Sequence, residues 1–231
     1  MIIDWLARGS GRDLIVFCNG WGMDRWPLSG LATDSFDVVV LSDYHRLDGP
    51  DGRAGLEKVR AELPRYQRCY LICWSMGVWA GQRLFVRDRD LFQQWIAING
   101  TLRPVDDRFG IPVEIFSATL EDFSPSILER FYRRMCKESG VFAFFQEHRP
   151  QRSPADQRRE LAALQLVVPD EAAAAPLYDV AIISGNDLII PTLNQQAFWQ
   201  DRRVIEIDGC HYPFSRWHRW SDLLELVDDD E

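Results

Sequence analysis

The sequence lacks the features that mark several large classes of protein. Asp and Glu number 35 against 26 Lys and Arg, a formal net charge of -9, so the chain has no overall basic charge with which to bind nucleic acid or an anionic membrane. No apolar run approaches the roughly 20 residues of a membrane span. The first residues, MIIDW, contain neither a basic segment nor a long apolar one, and we therefore expect no secretory signal.

The cysteines are few and are not spaced as metal ligands or as disulfide partners. There are five of them, an odd number, and their spacing matches neither a zinc site nor a disulfide framework. Free thiols are therefore expected, in a cytoplasmic protein that has no structural metal. The chain has no internal repeat, and its 231 residues are 46% hydrophobic. This predicts one medium-sized domain, or one domain with a large insertion.

Short, almost continuously apolar runs alternate with polar helical stretches through much of the chain. Such runs are typical of strands that are buried on both faces of a parallel sheet. They occupy residues 13–20, 36–44, 68–75 and 94–100, and the pattern resumes at 178–187 and 202–211. Helices are predicted at 53–63, at 76–88, in part of 21–33 and at 218–229. The alternation predicts an α/β protein with a mostly parallel sheet flanked by helices.

The alternation stops after about Leu102. The run at 111–117 is the last strand-like segment of this region, and helical pieces follow at 125–139, 140–148 and 153–167. A helical block inserted into a strand–helix alternation predicts a cap over one edge of the core. We therefore expect a core of residues 1–104 and 170–231, and a helical cap of residues 105–169.

The segment LICWSMGVWAG, residues 71–81, is close to the G-x-S-x-G sequence of a nucleophile elbow. Such an elbow needs a buried strand, a sharp turn packed between small residues, and a helix that follows at once. Ser75 has the strand before it and Gly77 after it, but Cys73 stands where the first glycine would be. Cys73 is expected to point into packing inside the strand. On this motif alone, a structural serine at a strand end remains an alternative.

An Asp and a His follow the next predicted strands in the order that α/β-hydrolases use. Asp187 is the last residue of the run at 178–187, directly after its apolar strand, and His211 lies in a glycine-containing loop after the last strand. A serine nucleophile needs such a base and such an orienting carboxylate. Either residue alone could be an ordinary loop side chain, and Asp208 could also contact His211. The joint pattern favours Ser75, Asp187 and His211 as a catalytic triad. The other histidines, His45, His148 and His218, have no matching context.

The loop CNGWGMD, residues 18–24, has the properties of an oxyanion loop. A tetrahedral oxyanion needs main-chain donors, and one is expected from Met76, directly after the nucleophile. The second is expected from Trp21, because the glycines on either side of it allow a tight turn. The alternative is an ordinary glycine-rich turn. The loop is not a phosphate loop, since no Lys-Ser or Lys-Thr follows.

The segments NGWGMD, CWSMGVWA, AINGT, RPVDDRFGIP, RFYRRMC and GCHYPF together resemble the BioG family, the pimeloyl-acyl-carrier-protein methyl ester esterases of biotin synthesis. The resemblance covers nearly the whole chain. It implies an α/β-hydrolase fold with the catalytic residues at Ser75, Asp187 and His211, and an oxyanion loop at Trp21. It also implies hydrolysis of the methyl ester of pimeloyl-acyl-carrier protein to the free carboxylate and methanol, with no metal or cofactor.

One part of the predicted cap is basic, which would suit an acidic carrier protein as partner. Residues 129–160 hold eight basic and five acidic residues, a net charge of +3 in a chain of -9. Seven of the eight are Arg, which binds carboxylate and phosphate in a bidentate way. The docking candidates are Arg130, Arg133, Arg134, Lys137, Arg149, Arg152, Arg158 and Arg159. A solvated helix face is the alternative. A general short-acyl carboxylesterase or thioesterase would use the same triad, and a non-catalytic binding protein of this fold is the third possibility.

Overall fold

A computed structural model describes residues 1–9, 11–47, 49–167 and 175–229, and its centre is a seven-stranded sheet. The strands are β1 (Ile2–Ala7), β2 (Asp13–Cys18), β3 (Phe36–Ser42), β4 (Arg68–Trp74), β5 (Gln94–Ile98), β6 (Val180–Ser184) and β7 (Val204–Ile207). Their order across the sheet is β1-β3-β2-β4-β5-β6-β7. β1 runs antiparallel to β3, and the other neighbouring pairs are parallel.

The central strands are buried along their whole length, which explains why they lack an alternating pattern. Every residue of β2, β3 and β6 is buried, so layers of structure cover both faces of the sheet. Cys18 pairs with Cys73 across β2 and β4, so that these two strands end at nearly the same level. Because parallel strands end at one edge of the sheet, the loops that follow β2, β4, β6 and β7 meet there, which is where α/β proteins place their sites.

Eight helices lie in the described part of the chain. They are α1 (Pro50–Glu62), α2 (Met76–Phe85), α3 (Val113–Glu121), α4 (Pro125–Cys136), α5 (Ser139–Glu147), α6 (Pro154–Val167), α7 (Thr192–Trp199) and α8 (Trp220–Asp228). Helices α3 to α6 follow one another between β5 and β6 and form a cap. This is the α/β-hydrolase fold with an inserted helical cap, as the sequence predicts. The expected boundary of the cap between residues 169 and 170 lies outside the described residues.

Three local predictions from the sequence are wrong. The edge strand β1 is missing from the prediction, because its side chains are only half-buried and its pairing with β3 is non-local. Residues 111–117 do not form a strand: Ile111 makes only an isolated bridge with Val105, and α3 begins at Val113. Phe116 and Leu120, four residues apart, are buried on one face of α3, while Val113 and Ile115 are exposed. The segment 21–33 holds only a short 3₁₀ turn, Trp26–Leu28, with Pro27 inside it.

The described helices include none that is long and apolar enough to cross a membrane. All five cysteines are free and buried. In residues 1–9, 11–47, 49–167 and 175–229, no three His, Cys, Asp or Glu side chains form a group that could hold a metal ion.

Candidate active site

Ser75 lies in a strained turn between β4 and α2. Its backbone has φ 56 and ψ -124, a conformation that costs a non-glycine residue about 1–3 kcal/mol. The turn is packed so closely that its neighbours must lack side chains. A Cβ at Gly77 would lie 2.1 Å from the carbonyl oxygen of Cys18, and one at Gly100 would lie 2.4 Å from that of Ser75. The geometry is that of a nucleophile elbow, in which the tight turn holds the serine at the end of the strand.

Ser75, His211 and Asp187 form one hydrogen-bonded row. The distance from His211 Nε2 to Ser75 Oγ is 2.8 Å, and that from His211 Nδ1 to Asp187 Oδ2 is 2.6 Å. All three residues are buried, with exposed fractions of 7%, 1% and 5% for Ser75, His211 and Asp187. An ionised carboxylate only accepts hydrogen bonds, so Nδ1 carries the proton and Nε2 accepts from the serine hydroxyl. This is the proton arrangement in which the imidazole can act as a base.

Asp187 is held in place by donors on both of its oxygens. Oδ1 accepts the main-chain N–H groups of Ile189 at 2.8 Å and Ile190 at 3.0 Å. Oδ2 accepts the side chain of Gln195 at 2.8 Å in addition to His211. These bonds stabilise the charge of a buried carboxylate and fix its direction. The rival acid, Asp208, is exposed, and its main-chain oxygen accepts from Arg216.

Two residues that sequence reasoning did not single out hold the loop of His211. The indole Nε1 of Trp74 and the amide Nδ2 of Asn99 both donate to the carbonyl oxygen of His211, at 2.8 and 3.1 Å. Asn99 also exchanges two hydrogen bonds with Ser184, at the end of β6. The available signal was the position of Asn99 directly after β5, at the edge of the sheet where the other loops meet. Gln195 had no such signal, since it lies within α7.

The loop after β2 presents a free donor beside Ser75. The N–H of Met23 donates to Gly20 across a tight turn, at 3.4 Å, and Gly22 within this turn has φ 75. A positive φ at the third position is typical of a type II turn, which favours glycine there. Trp21 and Met76 line the same cavity as Ser75, and their main-chain N–H groups have no acceptor in the part of the chain that the structure describes.

A mostly apolar cavity of about 240 Å³ opens beside Ser75 and runs beneath α3 and α4. Its apolar lining includes Met23, Ile115, Phe116, Phe131, Met135 and Leu161. The wall also holds the His211 ring and three charged side chains of the cap, Asp122, Arg130 and Arg134. The cavity therefore joins the hydrogen-bonded row to a basic part of the cap through an apolar channel.

Arg152 does not belong to the basic surface that the sequence predicted. Its side chain is 5% exposed and forms ion pairs with Glu160 at 2.5 Å and Asp43 at 3.0 Å. Burial alone would lower the pKa of Arg152, but the charges of Glu160 and Asp43 outweigh it and raise the pKa above its ordinary value. The prediction of Arg152 as a docking residue is therefore wrong. An acidic partner could not reach its guanidinium.

The other predicted basic residues lie nearer the surface and differ in their partners. Arg133 and Arg149 pair with Glu129, and Arg159 pairs with Asp156. Arg134 donates to the carbonyl oxygen of Leu188, and Lys137 donates to the side chain of Asn186. Arg158 is exposed. Arg130 and Arg134 are the two that reach the cavity wall.

The remaining candidate nucleophiles and bases lie outside this row. Cys73 is fully buried, and its Sγ lies against Gly81. Burial raises the pKa of the Cys210 thiol, next to His211, to about 11, so that it is protonated at neutral pH and a poor nucleophile. His45 pairs with Asp43, and His148 stacks on Phe144.

Comparison with known proteins finds relatives that match most of the chain. Residues 4–223 match the family model described as "Pimeloyl-ACP methyl esterase BioG". A "Malonyl-[acyl-carrier protein] O-methyltransferase" from Bacteroides fragilis (strain 638R) is 34% identical over 203 residues, which are 87% of this chain, and the chain spans 40% of that protein's length. The crystal structure of BioG from Haemophilus influenzae superposes with a TM-score of 0.84 at 31% identity, covering 96% of this chain and 99% of that one. An enol-lactonase from Burkholderia xenovorans LB400, 17% identical with a TM-score of 0.63 over 98% of this chain and 95% of that one, shares the fold.

Proposed function

The chain belongs to the BioG family of pimeloyl-acyl-carrier-protein methyl esterases, and we propose that it is a serine esterase of biotin synthesis. Its substrate is the methyl ester of pimeloyl-acyl-carrier protein, which it hydrolyses to pimeloyl-acyl-carrier protein and methanol. The observation that carries this proposal is the hydrogen-bonded row of Ser75, His211 and Asp187 beside an apolar cavity.

In the proposed reaction His211 Nε2 takes the proton of the Ser75 hydroxyl while Oγ attacks the ester carbonyl. The main-chain N–H groups of Trp21 and Met76 bind the oxyanion that forms. The imidazolium then protonates the departing methoxide, and methanol leaves. Water attacks the acyl-enzyme by the same route, with His211 as the base. Asp187 keeps the imidazole in the required tautomer and stabilises its positive charge.

The cavity and the cap suit a long acyl chain that remains attached to an acidic protein. The apolar lining can bury the methylene groups of the chain, each of which contributes about 0.8 kcal/mol when it leaves water. Arg130 and Arg134 would then face the phosphate of the carrier's prosthetic arm. The name of the Bacteroides fragilis relative also places the substrate of that protein on an acyl-carrier protein, which supports the same partner here.

The test compares two substrates and one variant. Methanol release is measured from methyl pimeloyl-acyl-carrier protein and from free dimethyl pimelate, with wild type and Ser75→Ala. We expect the carrier-bound ester to be preferred, and Ser75→Ala to lower kcat by roughly 10⁶. Ser126→Ala, at an exposed serine of the cap, is the matched control and should retain full activity.

Two outcomes would change the proposal. If Ser75→Ala keeps more than a few per cent of the activity, Ser75 is not the nucleophile. If the free ester is hydrolysed as well as the carrier-bound one, a general carboxylesterase or thioesterase becomes the better description. A fluorophosphonate probe addresses the non-catalytic alternative, because it should label wild type and not Ser75→Ala.

A further inference from the structure

The cap helix α6 is hydrogen-bonded directly to the turn that carries Trp21. The indole Nε1 of Trp21 donates to the main-chain oxygen of Gln157 at 2.9 Å, and the side-chain Nε2 of Gln157 donates to the carbonyl oxygen of Gly22 at 2.8 Å. The N–H of Gly22 donates to Glu160 Oε2 at 3.1 Å. Gln157 and Glu160 are 1% and 0% exposed, so these bonds are shielded from water. A hydrogen bond is stronger in such a buried environment than in water.

These three bonds fix the conformation of the turn. Type I and type II turns differ by a flip of the central peptide, whose N–H here belongs to Gly22. Glu160 accepts that N–H and so holds the central peptide in one orientation, while Gln157 fixes the next peptide through its carbonyl oxygen. Glycine at position 22 would otherwise allow either sign of φ at little cost. The N–H of Trp21 is then the donor that is left to face the cavity.

Glu160 does not line the cavity, and its carboxylate is held in place by two further donors. Arg152 donates to its Oε2 at 2.5 Å, and the N–H of Tyr44 donates to its Oε1 at 2.9 Å. Arg152 also pairs with Asp43. The network therefore joins the loops after β2 and β3 to the cap, and the positive charge of Arg152 balances a carboxylate that burial would otherwise make costly.

From this geometry we infer that Gln157 and Glu160 are positioning residues for the oxyanion hole, so that the cap contributes to the chemical step as well as covering the substrate. The inference rests on the proposed function, because it requires an oxyanion to form at Ser75. It assigns the two residues no contact with substrate. Their effect is exerted through the orientation of the Trp21 main chain.

The clearest test is Gln157→Met, which has a similar size, carries no charge and keeps the main-chain oxygen that Trp21 uses. Gln165→Met, the same change further along α6, is the matched control. The substrate is a soluble p-nitrophenyl ester, so that carrier docking plays no part. Removal of an oxyanion donor costs about 10²–10³ in kcat, and a misplaced donor should cost part of that. We expect kcat to fall about 10- to 100-fold with KM changed less than threefold.

Inhibitor binding separates a positioning role from a merely structural one. A trifluoromethyl ketone reacts with the serine hydroxyl and places an oxyanion in the oxyanion hole. The amide with the same acyl chain binds without forming an oxyanion. Gln157→Met should weaken the first inhibitor in proportion to kcat and leave the second within threefold of wild type. If both inhibitors weaken equally, or if kcat is unchanged in a folded variant, the inference is wrong.

A second variant tests the Glu160 arm and leaves Asp43, the other acidic partner of Arg152, with its contact to His45 at 2.7 Å. Arg152→Leu with Glu160→Leu removes both members of the ion pair, and such replacements are often tolerated by the fold. This double variant should also lower kcat with little change in KM, and should weaken the binding of the trifluoromethyl ketone but not that of the amide. An unchanged kcat here would remove Glu160 from the inference. Failure of the proposed function would look different, because wild type itself would then neither hydrolyse the ester nor be labelled at Ser75.

Discussion

Removing the two arginines at the cavity wall should weaken activity on the carrier-bound ester in particular. Arg130 and Arg134 line the cavity, and Arg134 donates a hydrogen bond to the neutral carbonyl oxygen of Leu188. Their charges are therefore available to an incoming phosphate or carboxylate. The perturbation is the double variant Arg130→Gln with Arg134→Gln, which changes the formal net charge from -9 to -11.

The size of the effect follows from Coulomb's law. Two unit charges 4 Å apart in a water-like medium interact by about 1 kcal/mol. If each arginine contacts one anionic group, the double variant loses about 2 kcal/mol, or roughly 30-fold in kcat/KM. Salt should reduce the advantage of wild type, because the screening length falls from about 8 Å at 0.15 M to about 3 Å at 1 M.

The assay compares methyl pimeloyl-acyl-carrier protein with p-nitrophenyl butyrate, which needs only the serine and the oxyanion hole. Arg133→Gln with Arg159→Gln is the control. It makes the same change in net charge at two exposed arginines that pair with Glu129 and Asp156 and do not line the cavity. We expect less than a threefold loss in the control, and little change on the butyrate in either variant.

Two results would refute the reasoning about the arginines. A similar loss on both substrates would mean that the substitutions disturb the cap rather than carrier binding. Equal losses in the two double variants would mean that net charge matters and that the cavity wall does not.

The elbow, the strand behind it and one buried thiol give further predictions. Gly77→Ala should yield little folded protein, because its Cβ would lie 2.1 Å from a main-chain oxygen, whereas Gly140→Ala, with nothing within 4 Å, should be tolerated; soluble yield and Tm decide. Cys73→Gly should keep esterase activity but lower Tm. Gly81→Ala should also lower Tm, because its Cβ would lie 2.3 Å from the Cys73 sulfur. The double variant should lose less stability than the two single losses added together, and simple additivity would contradict the contact. Burial raises the pKa of the Cys69 thiol from 9.0 to about 11. As pH rises, the unfolded chain therefore loses this proton before the folded chain does. The free energy of unfolding should fall between about pH 9 and pH 11, by up to about 2 kcal/mol for this thiol. Cys69→Ala should show a shallower fall, and an unchanged slope would contradict the raised pKa of Cys69.

The sequence predicts the central sheet well because burial on both faces leaves a strong local signal. The strands β2, β3, β4 and β6 are continuous apolar runs, and each was expected close to its observed position. The errors occur where the local signal is ambiguous. α3 carries Val113 and Ile115, which favour strands, and only the burial of Phe116 and Leu120 four residues apart favours a helix.

The order of the three polar residues at strand ends could be predicted because the fold fixes which edge of the sheet they reach. Ser75, Asp187 and His211 each follow a parallel strand, and such strand ends meet. The supporting contacts could not be predicted in this way. Gln157 reaches Gly22 across 135 residues of sequence, and Glu160 reaches it across 138. Within α6 the helical spacing puts Gln157 and Glu160 on the same face as the buried Leu161 and Leu164. That spacing indicates burial, but it does not identify the loop to which the two polar side chains bond.

The cysteine in the elbow sequence shows how one glycine requirement can be met elsewhere in the chain. A nucleophile elbow requires space on either side of the serine, and position 73 is usually kept small because the helix that follows packs against it. Here Cys73 keeps its side chain, and Gly81 on α2 provides the space, since a Cβ at position 81 would lie 2.3 Å from the Cys73 sulfur. The other glycine, Gly77, has no such freedom, because its Cβ would meet the main-chain oxygens of Cys18 and Asn19, which cannot move without breaking the sheet. The motif therefore tolerates a larger residue at position 73, where the neighbouring residue can be replaced by a smaller one. It does not tolerate a larger residue at position 77, where the neighbouring atoms belong to the main chain.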